Sequence, residues 1–364
     1  MLRGIMSAAL IAALTALVLA CSEDADEPEE ESETGSVRIG ALLPLTGSLS
    51  SYGETSKAAL DEAVTAINTP GWKPVGWRPV ELIVEDTKTE PAVALEKLRA
   101  LQSRGVKLVI GPYASSEVRE VKAFADSNGI VLISPLSTSR ALAIAGDNIF
   151  RFTPDDEAEG KAIAALAWAD GIRVIVPVTR DDEGNKGLQA AMKVTFEGLG
   201  GRFLPGVTYA TNETDFRDEM ITVAAAVNAE RLAGHQVGVY LTAFNEVTGL
   251  FGAAAIGDPV LATVMWYGSD SVALSKDLVE DRTAAAFAVV ANYPNPILGL
   301  NDSDRARWGP ISDKVSAKLG RVPDAFALAA YDGLMVGYNA RVAAGTNTDA
   351  LKRELVSGAA SYSG

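Results

Sequence analysis

Three short loops hold most of the side chains from which a site could be built. They are Pro44 to Gly53 (Pro-Leu-Thr-Gly-Ser-Leu-Ser-Ser-Tyr-Gly), Gly111 to Ser116 (Gly-Pro-Tyr-Ala-Ser-Ser) and Ser134 to Ser139 (Ser-Pro-Leu-Ser-Thr-Ser). Each follows a short apolar run and leads towards a helical stretch. Hydroxyl groups beside unpaired helix N–H groups form a ready seat for an anion, and neutral donors suit a carboxylate that must later be released. The same Ser and Thr side chains are also common helix caps. One loop alone would be read as a cap; three along one sheet edge read as a binding site.

Catalytic chemistry is poorly supplied by comparison. His235 is the single His, in an Ala-Gly-His-Gln stretch that reads as a surface turn before a strand, and Cys21 is the single Cys. No Cys–His pair and no clustered His/Cys set for a transition metal can be drawn from these. The chain has no Gly-x-Ser-x-Gly elbow and no P-loop or dinucleotide fingerprint. Its many carboxylates sit mostly in helical, solvated patterns, and no motif pairs two of them for acid–base work. The expectation is a protein that is not an enzyme and uses no metal or cofactor.

The elements that must position the loops follow from hydrophobic period. Val37 to Leu43, Val80 to Glu85, Lys107 to Ile110 and Ile130 to Ile133 are short β-rich runs. Between them, Leu60, Ala63, Val64 and Ile67 mark one helix face, and Ala94, Leu95, Leu98 and Leu101 another. The second of these helices has Pro91 in its first turn and Gly105 past its end; a third spans Glu117 to Ser127. After Phe150 to Pro154 the alternation restarts, with strands expected over Val174–Val178, Gly201–Tyr209, Val237–Leu241, Leu261–Tyr267 and Ala285–Val290. Strands apolar on both faces, alternating with helices, imply parallel sheets covered on both sides. Such sheets bind ligands at the carboxyl ends of their strands, where the three loops lie. The total of near ten strands and the break at mid-chain favour two doubly wound lobes over one large sheet.

The first residues fix the compartment. After Arg3 an uncharged run from Gly4 to Ser22 contains Val18-Leu19-Ala20-Cys21. A positive start, an apolar core and a small residue at the break are the marks of a secretory signal peptide, and the tetrad resembles a bacterial lipobox, in which the Cys is lipidated. An uncleaved membrane anchor is the alternative; both place the remainder outside the membrane. Ser22 to Gly35 follows, with eight acidic residues and no large apolar one. It cannot bury enough surface to order itself and reads as an extended tether. The formal charge of -15 is therefore uneven. Arg3 contributes one positive charge and the tether eight negative, leaving eight negative on a body of about 330 residues, enough for two domains. Nothing basic is concentrated to neutralise phosphates, which argues against nucleic acid as a partner.

Taken together, Val37 to Gly53, Val109 to Ser116, Ile133 to Thr138, Asn148 to Asp155, Arg180 to Gly187, Trp266 to Asp270 and Ala329 to Asp332 resemble the Leu/Ile/Val-binding-protein family, substrate-binding proteins of branched-chain amino acid ABC transporters. The resemblance implies a type I periplasmic-binding fold: two doubly wound parallel-sheet lobes joined by a multi-strand hinge. It divides the chain into a lipoprotein signal peptide (1–21), an acidic tether (22–35), the first part of lobe 1 (36–153), lobe 2 (154–292) and the second part of lobe 1 (293–364). The last six residues trail off without a closing strand, so a stop before the final crossover is expected.

By the same resemblance Ser115 and Thr138, with Ala114, Ser137 and nearby backbone N–H groups, grip an α-carboxylate. Asp270 supplies the acidic partner for an α-ammonium from lobe 2, although a loop-turning Asp at the surface is its plainer reading. Tyr52, Tyr113, Leu136, Phe244 and Tyr293 shape the side-chain pocket. The loop from Arg180 to Gly187 departs from the pattern. It has Glu183 or Gly184 where relatives carry an aromatic ring followed by Gly-x-Gly, and a pocket without that wall suits a larger, more polar or basic ligand. The implied function is an extracytoplasmic lipoprotein that captures an amino acid or similar zwitterion by hinge closure. It would deliver this ligand to the membrane permease of an ABC transporter. A sensor module of the same fold, a binder of an amide or aromatic acid, and an α/β enzyme acting on carbohydrate or peptide are the competing readings.

Overall fold

The computed structural model describes residues 35–69, 75–273 and 275–362. The expected signal peptide, the lipidation site at Cys21 and the acidic tether up to residue 34 lie outside them. The first sheet is built from β1 (Val37–Leu43), β2 (Val80–Asp86), β3 (Leu108–Ile110), β4 (Val131–Ser134) and β5 (Ile149–Arg151). All its strands are parallel, in the order β2-β1-β3-β4-β5. The wholly buried β3 and β4 contain only apolar residues apart from Ser134, as a central strand covered on both faces requires. Because β1, β3 and β4 are neighbours, the three Gly/Ser loops leave the sheet side by side.

Two of these loops enter proper helices, α1 (Ser50–Asn68) and α3 (Ser115–Ser127), while α2 (Pro91–Ser103) links β2 to β3. The third loop does not: Ser134 to Ser139 passes into a single 3-10 turn at Arg140–Leu142. The sheet is packed on both faces. Leu98, Leu101 and Val121 of α2 and α3 meet Leu42, Val109 and Leu132 on one side. Leu60 and Ile67 of α1 meet Ile39, Leu43 and Ile133 on the other.

Beyond β5 the chain crosses into α4 (Asp156–Ala169), β6 (Val174–Arg180), α5 (Glu183–Gly198), β7 (Arg202–Phe203), β8 (Val207–Tyr209), α6 (Arg217–Leu232), β9 (Val237–Thr242), α7 (Val247–Ile256), β10 (Met265–Tyr267), α8 (Lys276–Glu280) and α9 (Arg282–Val290). The second sheet, again parallel, runs β10-β9-β6-β7, and β8 also pairs with β6. The chain then returns, and α10 (Arg305–Leu319), α11 (Ala325–Ala344) and α12 (Thr348–Ser361) pack on the first sheet and α1. The fold is two parallel α/β lobes.

Three expected strands differ. Gly201–Tyr209 splits into β7 and β8 because Gly206 turns with φ of 65° against the Pro177 carbonyl, which a Cβ would approach to 2.1 Å. Within Leu261–Tyr267 only the last three residues are strand; Pro259–Thr263 forms a 3-10 turn capped by Asp258, which accepts from the Val260 N–H at 2.9 Å. Ala285–Val290 is helical, as part of α9. The Asp281 carboxylate caps it by accepting from the N–H groups of Thr283 and Ala284, and Phe287 packs on Phe251 and Trp266. No helix among the described residues is long and apolar enough to cross a membrane.

Candidate ligand-binding cleft

The carboxyl ends of β3 and β4 deliver Ser115 and the Ser134–Ser139 loop to the same point. Ser115 is the first residue of α3, and its Oγ lies 2.9 Å from Ser137 Oγ and accepts from the Ser139 N–H at 3.3 Å. Ser134 Oγ ties the loops together from below, donating to the Pro112 carbonyl at 2.6 Å and accepting from the Ser137 N–H at 3.2 Å. Arg151, at the end of β5, donates to the carbonyls of Ser139 (2.5 Å) and Ser137 (3.5 Å). The result is a braced platform of hydroxyl and N–H donors. Thr138 is its half-buried outer member.

Facing this platform from the second lobe is Asp270, in the 3-10 turn after β10 and only 6% exposed. Burial pushes its carboxyl up to about 6, against hydrogen bonds from Ser271 and Glu159. Glu159 Oε1 accepts from the Asp270 N–H at 3.1 Å. Burial, then the charges of Asp270 and Asp156, hold the Glu159 carboxyl well above its ordinary range. Asp156, one turn earlier on α4, donates its N–H to the Thr138 carbonyl at 3.0 Å. Burial lifts its own carboxyl to about 7, while the Thr138 hydroxyl opposes the shift. Thr138, Glu159 and Asp270 together line a cavity of about 180 Å³, with Phe326 and Pro296 to Gly299 on its far side.

The remaining expected site residues are placed unevenly. Tyr52 spans the cleft, its hydroxyl reaching the carbonyls of Asp270 (2.5 Å) and Ala273 (2.7 Å). Phe244 extends from the second lobe into the first lobe's core, beneath the Arg180 guanidinium at 4.9 Å. Leu136 and Ala114 are buried at the platform's base. Tyr113 is wholly enclosed in the first core. Tyr293 stands edge-on to Phe251 at 4.8 Å; Gly268 makes room for it, since a Cβ there would lie 2.6 Å from the Tyr293 ring. His235 lies before β9, at the opposite end of the sheet, against Glu230 at 2.7 Å.

The departure at Gly184 has a structural counterpart. A Cβ on Gly184 would lie 3.6 Å from Ser115 Oγ, so the first turn of α5 closes directly on the platform where a ring would otherwise intervene. The neighbouring Glu183 meets Arg119 at 2.6 Å and accepts from Ser139 Oγ at 3.4 Å, both from the first lobe.

Sequence reasoning missed Asp156, Glu159 and a buried cluster around Arg180. The Arg180 guanidinium bonds Asp182 (2.8 Å) and Glu246 (3.0 Å), and Glu246 also accepts from Tyr209 Oη and the Phe244 N–H. This network fixes the two second-lobe loops that form the lip. A signal for the α4 acids was available: Asp156 and Glu159 fall on the stripe that continues through Gly160, Ile163 and Ala167, which face inward.

The family model described as periplasmic binding protein matches residues 36–362. Protein MJ1266 of Methanocaldococcus jannaschii is 28% identical over 322 residues, 87% of this chain and 75% of its own length. The Leu/Ile/Val-binding protein BraC3 of Rhizobium johnstonii is 26% identical over 166 residues, 45% of each chain, so the match spans less than half of that relative. Among solved structures, the branched-chain amino acid transporter substrate-binding protein LivJ of Streptococcus pneumoniae, in complex with isoleucine, superposes with a TM-score of 0.68. It shares 22% identity, with 88% of this chain and 87% of LivJ covered, a likeness of fold. The chain belongs to the periplasmic binding protein family, in the type I group of the Leu/Ile/Val-binding proteins.

Proposed function

We propose that the protein is the extracytoplasmic capture component of an ABC importer, tethered through a lipid on Cys21. It holds an amino acid or similar zwitterion between its lobes for delivery to a membrane permease. The observation that carries this reading is one cavity lined by Thr138 of the first lobe's donor platform, which Ser115 and Ser137 extend, and by the buried carboxyl of Asp270 on the other lobe. Carboxylate to hydroxyl or N–H and ammonium to carboxylate are charge-assisted bonds, each contributing roughly 1.5–3 kcal/mol. A few of them with apolar contact reach micromolar affinity, about -8 kcal/mol. Because the two grips belong to different lobes, the ligand favours the closed arrangement over an open one.

The test is a thermal-shift screen of the purified protein against free amino acids, with their amides, decarboxylated amines, an aromatic acid and simple sugars as controls. A rise in melting temperature with intact amino acids alone supports the reading. A rise with the amide, aromatic acid or sugar and none with amino acids overturns the roles given to Ser115, Thr138 and Asp270.

A further inference from the structure

The floor of the cleft holds more carboxyl groups than the one ammonium of a neutral amino acid can answer. Asp156 and Glu159 lie three residues apart on one face of α4, and Asp270 meets them from the turn after β10. The cation that bears on Asp156 is Arg151, whose guanidinium already serves the carbonyls of Ser137 and Ser139. Neither carboxylate oxygen of Asp156, at 2% exposure, has a well-formed hydrogen bond.

A second, independent feature points the same way. The hydroxyl of Tyr240, on β9, is fully buried and has no hydrogen-bond partner. The charges acting on it are Glu159, Asp270 and Asp156, in that order. Ser269 Oγ, next to Asp270, is likewise fully buried and unpartnered. A buried hydroxyl without a partner is costly. Glu159 and Asp270 line a cavity of about 180 Å³, and Asp156 and the Tyr240 hydroxyl lie within electrostatic reach of both; together they make a receptor for a hydrogen-bond-donating cation, which such acceptors satisfy.

We propose that the ligand carries a second positive charge, as in a diamino acid or a guanidino amino acid. Its α-ammonium rests on Asp270, and its side-chain cation sits between Glu159 and Asp156 under the Tyr240 hydroxyl. The inference rests on the amino-acid reading above for the α-carboxylate and deepens it by naming the side-chain class. Without such a ligand the carboxyls are neutralised by protons. The groups facing Glu159 leave no other route: Asp156 on its own helix, Asp270 after β10, Tyr240 on β9, Tyr52 on α1 and Tyr293 in the returning segment. Asp155, Arg151 and Thr138 complete the surroundings of Asp156. A second cation therefore displaces a proton on binding, and a neutral side chain does not.

Calorimetric titration of the full chain, at pH 6.5 in two buffers of different ionisation enthalpy, tests this. The probes are L-lysine, L-ornithine and L-arginine against L-norleucine and L-leucine, with cadaverine as a diamine lacking the carboxylate. We expect the basic amino acids to bind at least about tenfold more tightly than norleucine, with a larger net proton release than the part that any α-ammonium displaces from Asp270. In Glu159→Gln the lysine-to-norleucine ratio narrows to about threefold or less and the proton release shrinks; the wild-type panel decides the matter even if that variant folds poorly. Leucine or norleucine binding as tightly as lysine overturns the second charge and leaves the amino-acid reading intact. Cadaverine binding as tightly as lysine, with neutral amino acids inert, keeps the cation seat and overturns the carboxylate grip. No binding by any cationic probe overturns the inference outright.

Discussion

At the residue scale, Asp270 shows how position decides between two uses of one side chain. An Asp following Trp-Tyr-Gly-Ser reads equally as a surface turn, but here it is buried, and no ion pair reaches it among the described residues. A carboxylate kept in that state costs stability until a cation arrives. Asp270→Asn is therefore expected to weaken amino-acid binding by about 10- to 100-fold, the loss of one charge-assisted bond. The melting temperature of the unliganded protein should hold or rise. Calorimetry and a melting curve on the same preparation check it, and a parallel collapse of both would make Asp270 structural instead. Ser115 and Thr138 are legible as candidates because their loops stand at the ends of recognisable strands, whereas Asp270 is singled out only by the family resemblance. Asp156 and Glu159 are not legible, since acidic residues in a helix's first turn are ordinary helix-dipole partners. Only the inward register of α4 separates these two from Glu157, which lies among Arg140 and Lys161 at the surface.

At the element scale, the strands with continuous β-branched runs and the helices with clean i, i+3, i+4 stripes could be read directly. Ala285 to Val290 could not: Ala and Val alone do not choose between periods 2 and 3.6, and a remote cap decided for helix. Caps also separate stability from lip geometry. Asp182 caps α5 through the Asn185 N–H at 2.9 Å and also holds the Arg180 Nε and the Asn185 side chain, each at 2.8 Å. Asp281 caps α9 and makes no ion pair among the described residues. Asp281→Ala should cost about 1 kcal/mol, the ordinary value of a cap. Asp182→Ala should cost about 2–4 kcal/mol, because Arg180 is left buried with Glu246 as its remaining carboxylate. Urea unfolding of both variants measures the difference. Equal costs would mean that the Arg180 network is not holding the lip.

For the whole molecule, the closed cleft ties stability to pH with a definite sign. Asp156 rises to about 7 and Asp270 to about 6, and Glu159 shifts in the same direction, all chiefly through burial. The α4 dipole works against this at Asp156, but a helix terminus contributes only about 0.3–1 kcal/mol. A shift of this size corresponds to several times that, at about 1.4 kcal/mol per pH unit. In the unfolded chain these carboxyls lose their protons near pH 4. Between there and about pH 7 the folded state holds more protons than the unfolded state, so stability falls as pH rises through that window. The unliganded protein should therefore melt several degrees lower at pH 8 than at pH 5. Glu117, Asp182 and Asp324, also lifted by burial, push the same way. Asp156→Asn isolates the cleft's share: the neutral amide cannot gain a charge, so the fall between pH 5 and pH 8 should become shallower by a few degrees. A ligand with a second cation should restore more stability at pH 8 than at pH 5, since at the higher pH it need not compete with protons. Melting curves of the wild type and Asp156→Asn across that range settle the point. Parallel curves for the two would show that Asp156 does not carry the burial-raised carboxyl on which the proposed cation seat depends.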